Sequence, residues 1–252
     1  MNPIFLSIVV PAFNEEACIG ATIDRLAHHL DTTAWTWEIV VSNDGSSDAT
    51  AQIVSDRSAV DPRVRLVDAA HMGKGAAVRR GMIEARGQWR FLCDADLSMA
   101  PAEIDRFFRG PGGMPAFDVS AGSREAHGAR RLEEPWTRHL TGRAFTWAVK
   151  LLLMRGIEDT QCGFKLFSAD AAEVLFPHQR LKGWGFDAEV LFLARRAGFT
   201  VGEIPITWQH FTGSKVSLLG GANGFLDILR VRLNQALGRY RGIRRNTGQT
   251  PE

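Results

Sequence analysis

The chain alternates short apolar runs with amphipathic stretches, which is typical of a sheet whose strands are connected by helices. Four apolar runs that end at polar turn residues predict strands over Leu6–Val10, Trp37–Ser42, Val64–Val67 and Phe91–Cys93. Helical patterns separate these runs, and the first predicted helix has Asn14 as its N-cap and ends near Leu30. This order of strands and helical crossovers predicts an open, doubly wound α/β sheet.

Two carboxylates follow the fourth predicted strand. The segment Trp89–Ser98 is apolar up to Cys93 and then carries Asp94 and Asp96. In an extended chain, residues two apart lie roughly 6–7 Å from each other on one face, so both carboxylates can face one cation. Oxygen ligands of this kind suit Mg²⁺ or Mn²⁺ held together with substrate phosphates. The alternative is that Asp94 caps a turn and Asp96 caps a helix, as in many isolated Asp-x-Asp sequences.

Two further polar loops leave the same edge of the predicted sheet. Asp44 lies in the loop after the second strand, and Lys74 opens the helix after the third. We expect Asp44 to accept hydrogen bonds from a nucleobase or ribose and Lys74 to contact phosphate. Each has a simpler alternative, a turn residue for Asp44 and a solvated helix start for Lys74. Together with the Asp pair they indicate a site for a nucleoside diphosphate.

Composition narrows the class of protein. The 252 residues are 45 % hydrophobic and 23 % charged, as in an ordinary globular chain, and the net charge of +2 gives no reason to expect a nucleic-acid partner. Three widely spaced cysteines favour a reducing compartment without disulfides or a zinc site. The first residues have no basic leader and only a short apolar run before Pro11, which predicts neither a signal peptide nor a membrane span.

Two stretches interleave apolar and basic residues in a helical pattern. They are Trp136–Arg155 and Gly224–Arg245. Such basic amphipathic helices lie at membrane surfaces, so we expect peripheral attachment to the inner, cytoplasmic leaflet. The alternative is a pair of core-packed helices with solvated basic faces.

Several ordered motifs carry a family resemblance. They are Val10–Glu16, Asn43–Asp48, Gly73–Val78, Asp94–Ser98, Gly156–Phe167, Gly183–Glu189 and Gly213–Val216. The first four resemble glycosyltransferase family 2, the inverting GT-A enzymes that use nucleotide sugars. The last three resemble its dolichyl-phosphate β-glucosyltransferase branch, close to the dolichyl-phosphate mannosyltransferases.

The resemblance implies a Rossmann-like GT-A fold, with a mixed, mainly parallel sheet and helices on both faces. It also implies one domain over residues 1–252. Within it we expect a nucleotide-binding half over 1–98, an acceptor and sugar half over 99–220, and a basic amphipathic C-terminal helix over 221–252.

The same resemblance assigns roles to individual residues. The implied nucleotide-sugar contacts are Pro11, Ala12, Asn14, Glu15, Asp44, Gly45, Lys74, Asp94 and Ala95. The implied catalytic residues are Asp96, Arg124 and Asp187. The implied acceptor or phosphate contacts are Arg130, Arg131, Gln161, Lys165 and Lys215. Asp94 and Asp96 are the implied ligands of a divalent cation, Mg²⁺ or Mn²⁺, and Ser98 stands where the mannosyl branch has a metal-binding glutamine.

The expected reaction is transfer of a hexose, glucose from UDP-glucose, to polyprenyl or dolichyl phosphate. GDP-mannose as donor and a soluble acceptor are the alternatives within the class. A non-catalytic module that binds nucleotide sugars is an alternative from another class, although Asp94, Asp96 and Arg124 are all intact. A nucleotidyltransferase would need a glycine-rich, basic first loop, which residues 11–16 do not provide.

Overall fold

A computed structural model describes residues 3–132, 147–209 and 218–245. The strands are β1 Leu6–Ala12, β2 Trp37–Asn43, β3 Val64–Asp68, β4 Trp89–Leu92, β5 Val119–Ser123, β6 Arg130–Leu132, β7 Lys165–Ser168, β8 Val201–Pro205 and β9 Thr207–Gln209. The helices are α1 Ile19–Leu30, α2 Thr50–Val60, α3 Lys74–Glu84, α4 over 147–152, α5 Ala169–His178, α6 Phe186–Ala197 and α7 Leu218–Ala236. Short 3₁₀ helices cover Pro101–Phe108 and Pro111–Gly113.

Seven strands form one mixed sheet in the order β3-β2-β1-β4-β7-β5-β8. β7 is antiparallel to both β4 and β5, and the other neighbours are parallel. All four strands predicted from the apolar runs are present, which confirms the predicted α/β sheet. β6 and β9 pair separately in parallel. The division into 1–98, 99–220 and 221–252 stays a prediction.

Two details of the first strand and helix differ from the predictions. β1 continues through Pro11, which pairs with Ser42 of the neighbouring β2 instead of ending the strand. Asn14 does not cap α1, because the helix begins at Ile19 and Asn14 has a left-handed backbone with φ of 54°. Its side chain is used in a bond between two loops, described below.

Helices cover both faces of the sheet, so the inner strands are buried on both sides. On one face, Val9 and Leu92 pack with residues of α3, α5 and α6. On the other face, Ile8 and Phe91 pack with α1 and the Pro101–Phe108 helix. Continuous apolar runs such as Ile8–Val10 are therefore required in these strands.

The direction of β7 decides what lies beside the Asp pair. Leu92, at the end of β4, pairs with Lys165, at the start of β7. Because the two strands are antiparallel, the segment that precedes β7 meets the edge of the sheet from which Asp94 and Asp96 leave. One edge thus collects residues that are about seventy positions apart in the chain.

The packing of α3 on the sheet gives a stability prediction. A Cβ at Gly81 would lie 2.5 Å from Val9 Cγ1, whereas a Cβ at Gly20 in α1 would lie 3.4 Å from Ile53 Cγ2. We expect Gly81→Ala to lower the free energy of unfolding by about 1–3 kcal/mol through overpacking. Gly20→Ala, the matched control, should leave it unchanged or raise it by up to about 1 kcal/mol, since alanine favours a helix. Urea unfolding measures both, and equal effects of the two substitutions would contradict the packing argument.

Candidate active site

The loops after β1 and β2 are bonded to each other. Asn14 N donates to Ser46 Oγ at 2.9 Å, and Asn14 Oδ1 accepts from Ser47 N at 2.8 Å. Glu15 N donates to Thr50 Oγ1 at 2.8 Å. Asn14 and Glu15, two of the predicted nucleotide-sugar contacts, therefore hold the two loops in a fixed relation at the end of β1 that contains Pro11 and Ala12.

Asp44 is buried and binds the loop that precedes α3. Its Oδ1 accepts from Met72 N at 3.0 Å and its Oδ2 accepts from Gly73 N at 2.7 Å. Gly45 follows with φ of 71°, and a Cβ there would lie 2.6 Å from His71 N. The carboxylate predicted to contact a nucleobase or ribose thus fixes the loop before α3, and Gly45 is needed for the close approach of the two loops.

The imidazole of His71 stacks on Phe13, with ring centroids 4.1 Å apart. Nδ1 of the same imidazole lies 2.8 Å from Asp44 Oδ2, so the stacked pair is held beside Asp44. Phe13 and His71 are both exposed. They form an aromatic surface beside Asp44 that the sequence analysis did not predict, although both residues lie within or next to its motifs.

Lys74 and Asp94 form an ion pair at the sheet edge, with Lys74 Nζ 2.7 Å from Asp94 Oδ1. Burial raises the pKa of Asp94, but the charge and hydrogen bond of Lys74, together with the charges of Lys165 and Arg124, hold that pKa below its usual value. For Lys74, burial alone would lower the pKa, but the charges of Asp94 and Asp187 raise it. Both side chains are therefore charged at neutral pH.

A second pair lies beside the first. Lys165 Nζ donates to Asp187 Oδ1 at 2.5 Å and also to the carbonyl oxygen of Cys162. Burial raises the pKa of Asp187, and the charge of Lys165 opposes that rise without cancelling it. Lys165 is fully buried. The predicted acceptor contact is therefore held inside the protein, next to the predicted catalytic Asp187.

Gly163, just before β7, leaves the space that the carboxylate of Asp94 occupies. A Cβ at this position would lie 1.9 Å from Asp94 Oδ2, a distance that no side chain tolerates. Gly163 lies in the motif Gly156–Phe167, whose resemblance assigns no role to this glycine. A glycine is required here because the antiparallel β7 places this position against Asp94. No local sequence pattern reveals that contact.

Asp96 is exposed, and its Oδ1 accepts a hydrogen bond from Ser98 N at 3.0 Å. The next residue, Leu97, has φ of 47°, a left-handed conformation that is strained for leucine. Before it, the carbonyl oxygen of the buried Ala95 accepts from Thr22 Oγ1 at 2.6 Å. The turn that presents Asp96 is thus anchored on α1 and carries backbone strain.

Two carboxylates at the sheet edge suit a divalent cation. Among the described ranges there is no group of three or more His, Cys, Asp or Glu side chains arranged around a metal position. Asp94 and Asp96 supply two carboxylates, which is the usual protein share for Mg²⁺ or Mn²⁺ when substrate phosphates complete the coordination. The exposed Asp96 and the paired Asp94 fit a cation that arrives with a diphosphate.

Arg124, at the end of β5, is held by Asp159. Its Nε and Nη2 donate to the two carboxylate oxygens at 2.7 and 2.9 Å. Burial would raise the pKa of Asp159, but Arg124 lowers it to about 2. Glu203 accepts from the backbone N–H groups of Glu158 and Asp159 and so fixes that loop. The charge of Arg124 also reaches Asp94, whose pKa it lowers.

The remaining predicted acceptor contacts are spread more widely. Arg130 is exposed and lies in β6, with Arg131 next to it in the pairing with β9. Gln161 is exposed, and its backbone N–H donates to Asp159 Oδ1 at 3.2 Å. Lys215 lies outside the described residues. Arg130, Arg131, Gln161 and Lys215 therefore stay predictions.

Two residues near the site were given no role in advance. Trp184 lies beneath Lys74, with the ammonium nitrogen 4.7 Å from the ring centroid. Glu189 in α6 is fully buried, and its carboxylate accepts from Arg180 N, Leu181 N and Tyr240 Oη. Burial raises the pKa of Glu189. Its position two residues after Asp187 gave no signal, because its partners lie outside α6, in the preceding segment and at Tyr240.

Comparison with known proteins identifies the family. The profile of the family described as "Glycosyl transferase family 2" matches residues 7–176. The dolichyl-phosphate beta-glucosyltransferase ALG5C of Trichomonas vaginalis is 34 % identical over 243 residues, which cover 92 % of this chain and 72 % of that protein. The dolichyl-phosphate beta-glucosyltransferase of Homo sapiens is 30 % identical over 251 residues, covering 94 % and 77 %.

The fold is also found in solved structures. Glucosyl-3-phosphoglycerate synthase from Mycobacterium tuberculosis, in complex with Mn²⁺, UDP and glucosyl-3-phosphoglycerate, superposes with a TM-score of 0.65 at 18 % identity, covering 90 % of this chain and 80 % of that one. This likeness confirms the predicted GT-A fold. Since the family profile spans most of the sheet and both relatives align over nearly the whole length, this chain belongs to glycosyltransferase family 2.

Proposed function

We propose that this enzyme transfers glucose from UDP-glucose to the phosphate of a polyprenyl or dolichyl lipid, with inversion at the anomeric carbon. The proposal rests on two ion pairs at the sheet edge, Lys74 with Asp94 and Lys165 with Asp187. The names of the relatives, dolichyl-phosphate beta-glucosyltransferases, support the choice of donor sugar and acceptor.

The donor would lie across the loops after β1, β2 and β3. The exposed surface of Phe13 and His71 suits a nucleobase, because aromatic rings stack on bases. Lys74 opens α3, where a helix N-terminus and an ammonium group both favour a diphosphate. Asp94 and Asp96 would hold the divalent cation, and a bound Mg²⁺ or Mn²⁺ supplies positive charge against the leaving nucleoside diphosphate.

The acceptor needs little help from a base. A lipid phosphate oxygen is already anionic at neutral pH, so the reaction depends on its position and on the stability of the leaving group. Asp187 is buried and paired with Lys165, which suits hydrogen bonding to sugar hydroxyls. The same carboxylate would act as a base if the acceptor were an alcohol.

We also propose contact with the cytoplasmic leaflet of a membrane. On α7, Leu226, Leu229 and Leu233 are 51, 53 and 56 % exposed and lie on one face at helical spacing. On α4, Trp147 and Leu151 are exposed as well. An exposed leucine stripe with arginines around it suits the interface of an anionic bilayer. Within the described part of the chain, no helix has the length and apolar character to cross a bilayer.

Transfer of label tests the reaction. We expect label from UDP-glucose, and not from GDP-mannose, to enter the organic phase with a short polyprenyl phosphate and Mg²⁺ or Mn²⁺. Asp96→Ala should lower the rate about 100-fold or more, because the leaving diphosphate loses charge stabilisation. Asp56→Ala, a control on the exposed face of α2, should not change it. The assignment would be overturned if label from GDP-mannose entered the organic phase instead, or if Asp96→Ala and the parent protein transferred sugar at equal rates.

Gly163→Ala tests whether the position of the Asp94 carboxylate limits sugar transfer. The new methyl group overlaps the Asp94 carboxylate and must displace it, so we expect kcat to fall about 100-fold, as for a misplacement near 1 Å. The thermal midpoint should fall by only a few degrees, since the overlap involves a side chain at the sheet edge. Gly20→Ala serves as control. Unchanged kcat would show that the position of Asp94 does not limit transfer.

Flotation tests the membrane proposal. We expect the protein to float with anionic liposomes at low salt and to be released as salt screens the attraction. A double substitution, Leu229→Ser with Leu233→Ser, should abolish flotation. Val60→Ser, at a position 86 % exposed on α2, is the matched control and should float like the parent protein. Parent protein that stays at the bottom of the gradient at low salt would refute membrane contact.

A further inference from the structure

A cavity of about 460 Å³ lies between the segment 180–184 and α7. Its charged lining consists of Arg180, Lys182, Arg230 and Asp227, and Trp184 forms part of its apolar wall. Three cations against one carboxylate leave an excess of two positive charges. A phosphate monoester carries about −1.5 to −2 at neutral pH, so its charge matches this excess.

One wall of the cavity is held in place by buried bonds. The carboxylate of Glu189 accepts from Arg180 N and Leu181 N, and the carbonyl oxygen of Lys182 accepts from Ala76 N at 3.2 Å. Gln179 Nε2 donates to the carbonyl oxygen of Gly75 at 2.8 Å. These bonds fix the backbone of the segment against the start of α3, and so set the positions from which Arg180 and Lys182 extend.

The opposite wall is α7. Asp227 accepts from Gly185 N at 3.2 Å and pairs with Arg230 at 2.7 Å, which joins the helix to the segment. The close approach needs a glycine, because a Cβ at Gly185 would lie 2.3 Å from Asp227 Cβ. Lys182 is exposed, and its ammonium has no partner among the residues that the structure describes. The ammonium of Lys182 is therefore available to an anion, whereas Asp227 shares the charge of Arg230.

The cavity borders the donor end of the active site. Trp184 lines it and also lies 4.7 Å from Lys74 Nζ, which pairs with Asp94. Leu226 and Leu229, on the same helix as Arg230, are exposed. A ligand with an anionic head and an apolar chain would find Arg230 and exposed leucines on α7, with Arg180 and Lys182 on the facing segment.

We propose that this cavity binds the phosphate head of the acceptor lipid, with its chain directed along the exposed leucines of α7. The assignment rests on the proposed function and adds Lys182 and Arg230 as acceptor-binding residues. Charge complementarity and the apolar stripe together favour a lipid phosphate over free phosphate. Arginine and lysine both suit a phosphate group, arginine through paired hydrogen bonds.

Direct binding separates this proposal from the proposed reaction. Calorimetry with geranyl phosphate, without donor, is run on the parent protein, on the double variant Lys182→Gln with Arg230→Gln, and on the control Arg25→Gln from the exposed face of α1. Geranyl phosphate has a short chain and is used without detergent, so no membrane surface contributes to the measured binding. We expect about tenfold or greater weakening in the double variant and none in the control, as for loss of charge-assisted hydrogen bonds.

The same variants are then assayed for transfer. We expect the double variant to raise the KM for geranyl phosphate about tenfold or more, with the affinity for UDP unchanged. Equal binding by parent and double variant, no binding by the parent, or inorganic phosphate binding as tightly as geranyl phosphate would overturn the acceptor site. If geranyl phosphate binds as expected but no sugar is transferred to it, the site stands and the proposed reaction fails.

Discussion

The ion pair between Lys74 and Asp94 is the contact on which the site depends. Asp94, Asp96 and Asp187 gather at one sheet edge, and Asp94 and Asp187 are both held against cations. A buried carboxylate without a partner costs several kcal/mol, so the folded state requires Lys74 and Lys165 as much as the acids. In the proposed donor complex, the diphosphate would replace Asp94 as the partner of Lys74, and the divalent cation would replace Lys74 as the partner of Asp94.

The antiparallel β7 makes this charge arrangement possible. It inserts between β4 and β5 and brings Gly163 and Lys165 to the end of β4. Gly163 leaves room for the Asp94 carboxylate, and Lys165 reaches Asp187 at the start of α6. The two parts of the chain therefore share one sheet, and residues from both meet at the edge where Asp94 lies.

The first part of the sheet could be predicted from the sequence, because β1 to β4 are apolar runs that end at polar residues. The Asp pair and Lys74 followed from the same pattern, since the carboxyl ends of parallel strands meet at one edge. The local signals failed where distant partners decide the outcome. Asn14 bonds to Ser47 across two loops instead of capping α1, and Lys165 is fully buried although lysine is almost always exposed. The need for Gly163 comes entirely from Asp94.

The bond between Glu189 and Tyr240 has a practical consequence for any shortened or fused form of this enzyme. Tyr240 lies beyond the end of α7, yet its hydroxyl group donates to a carboxylate in the first turn of α6, and Ile243 is buried just after it. A polypeptide cut at residue 236 would keep α1 to α7 and still leave the Glu189 carboxylate in the interior with one hydrogen-bond donor fewer. Tags and partner domains should therefore be joined after residue 245, where the ion pair of Arg245 with Asp118 completes the packing.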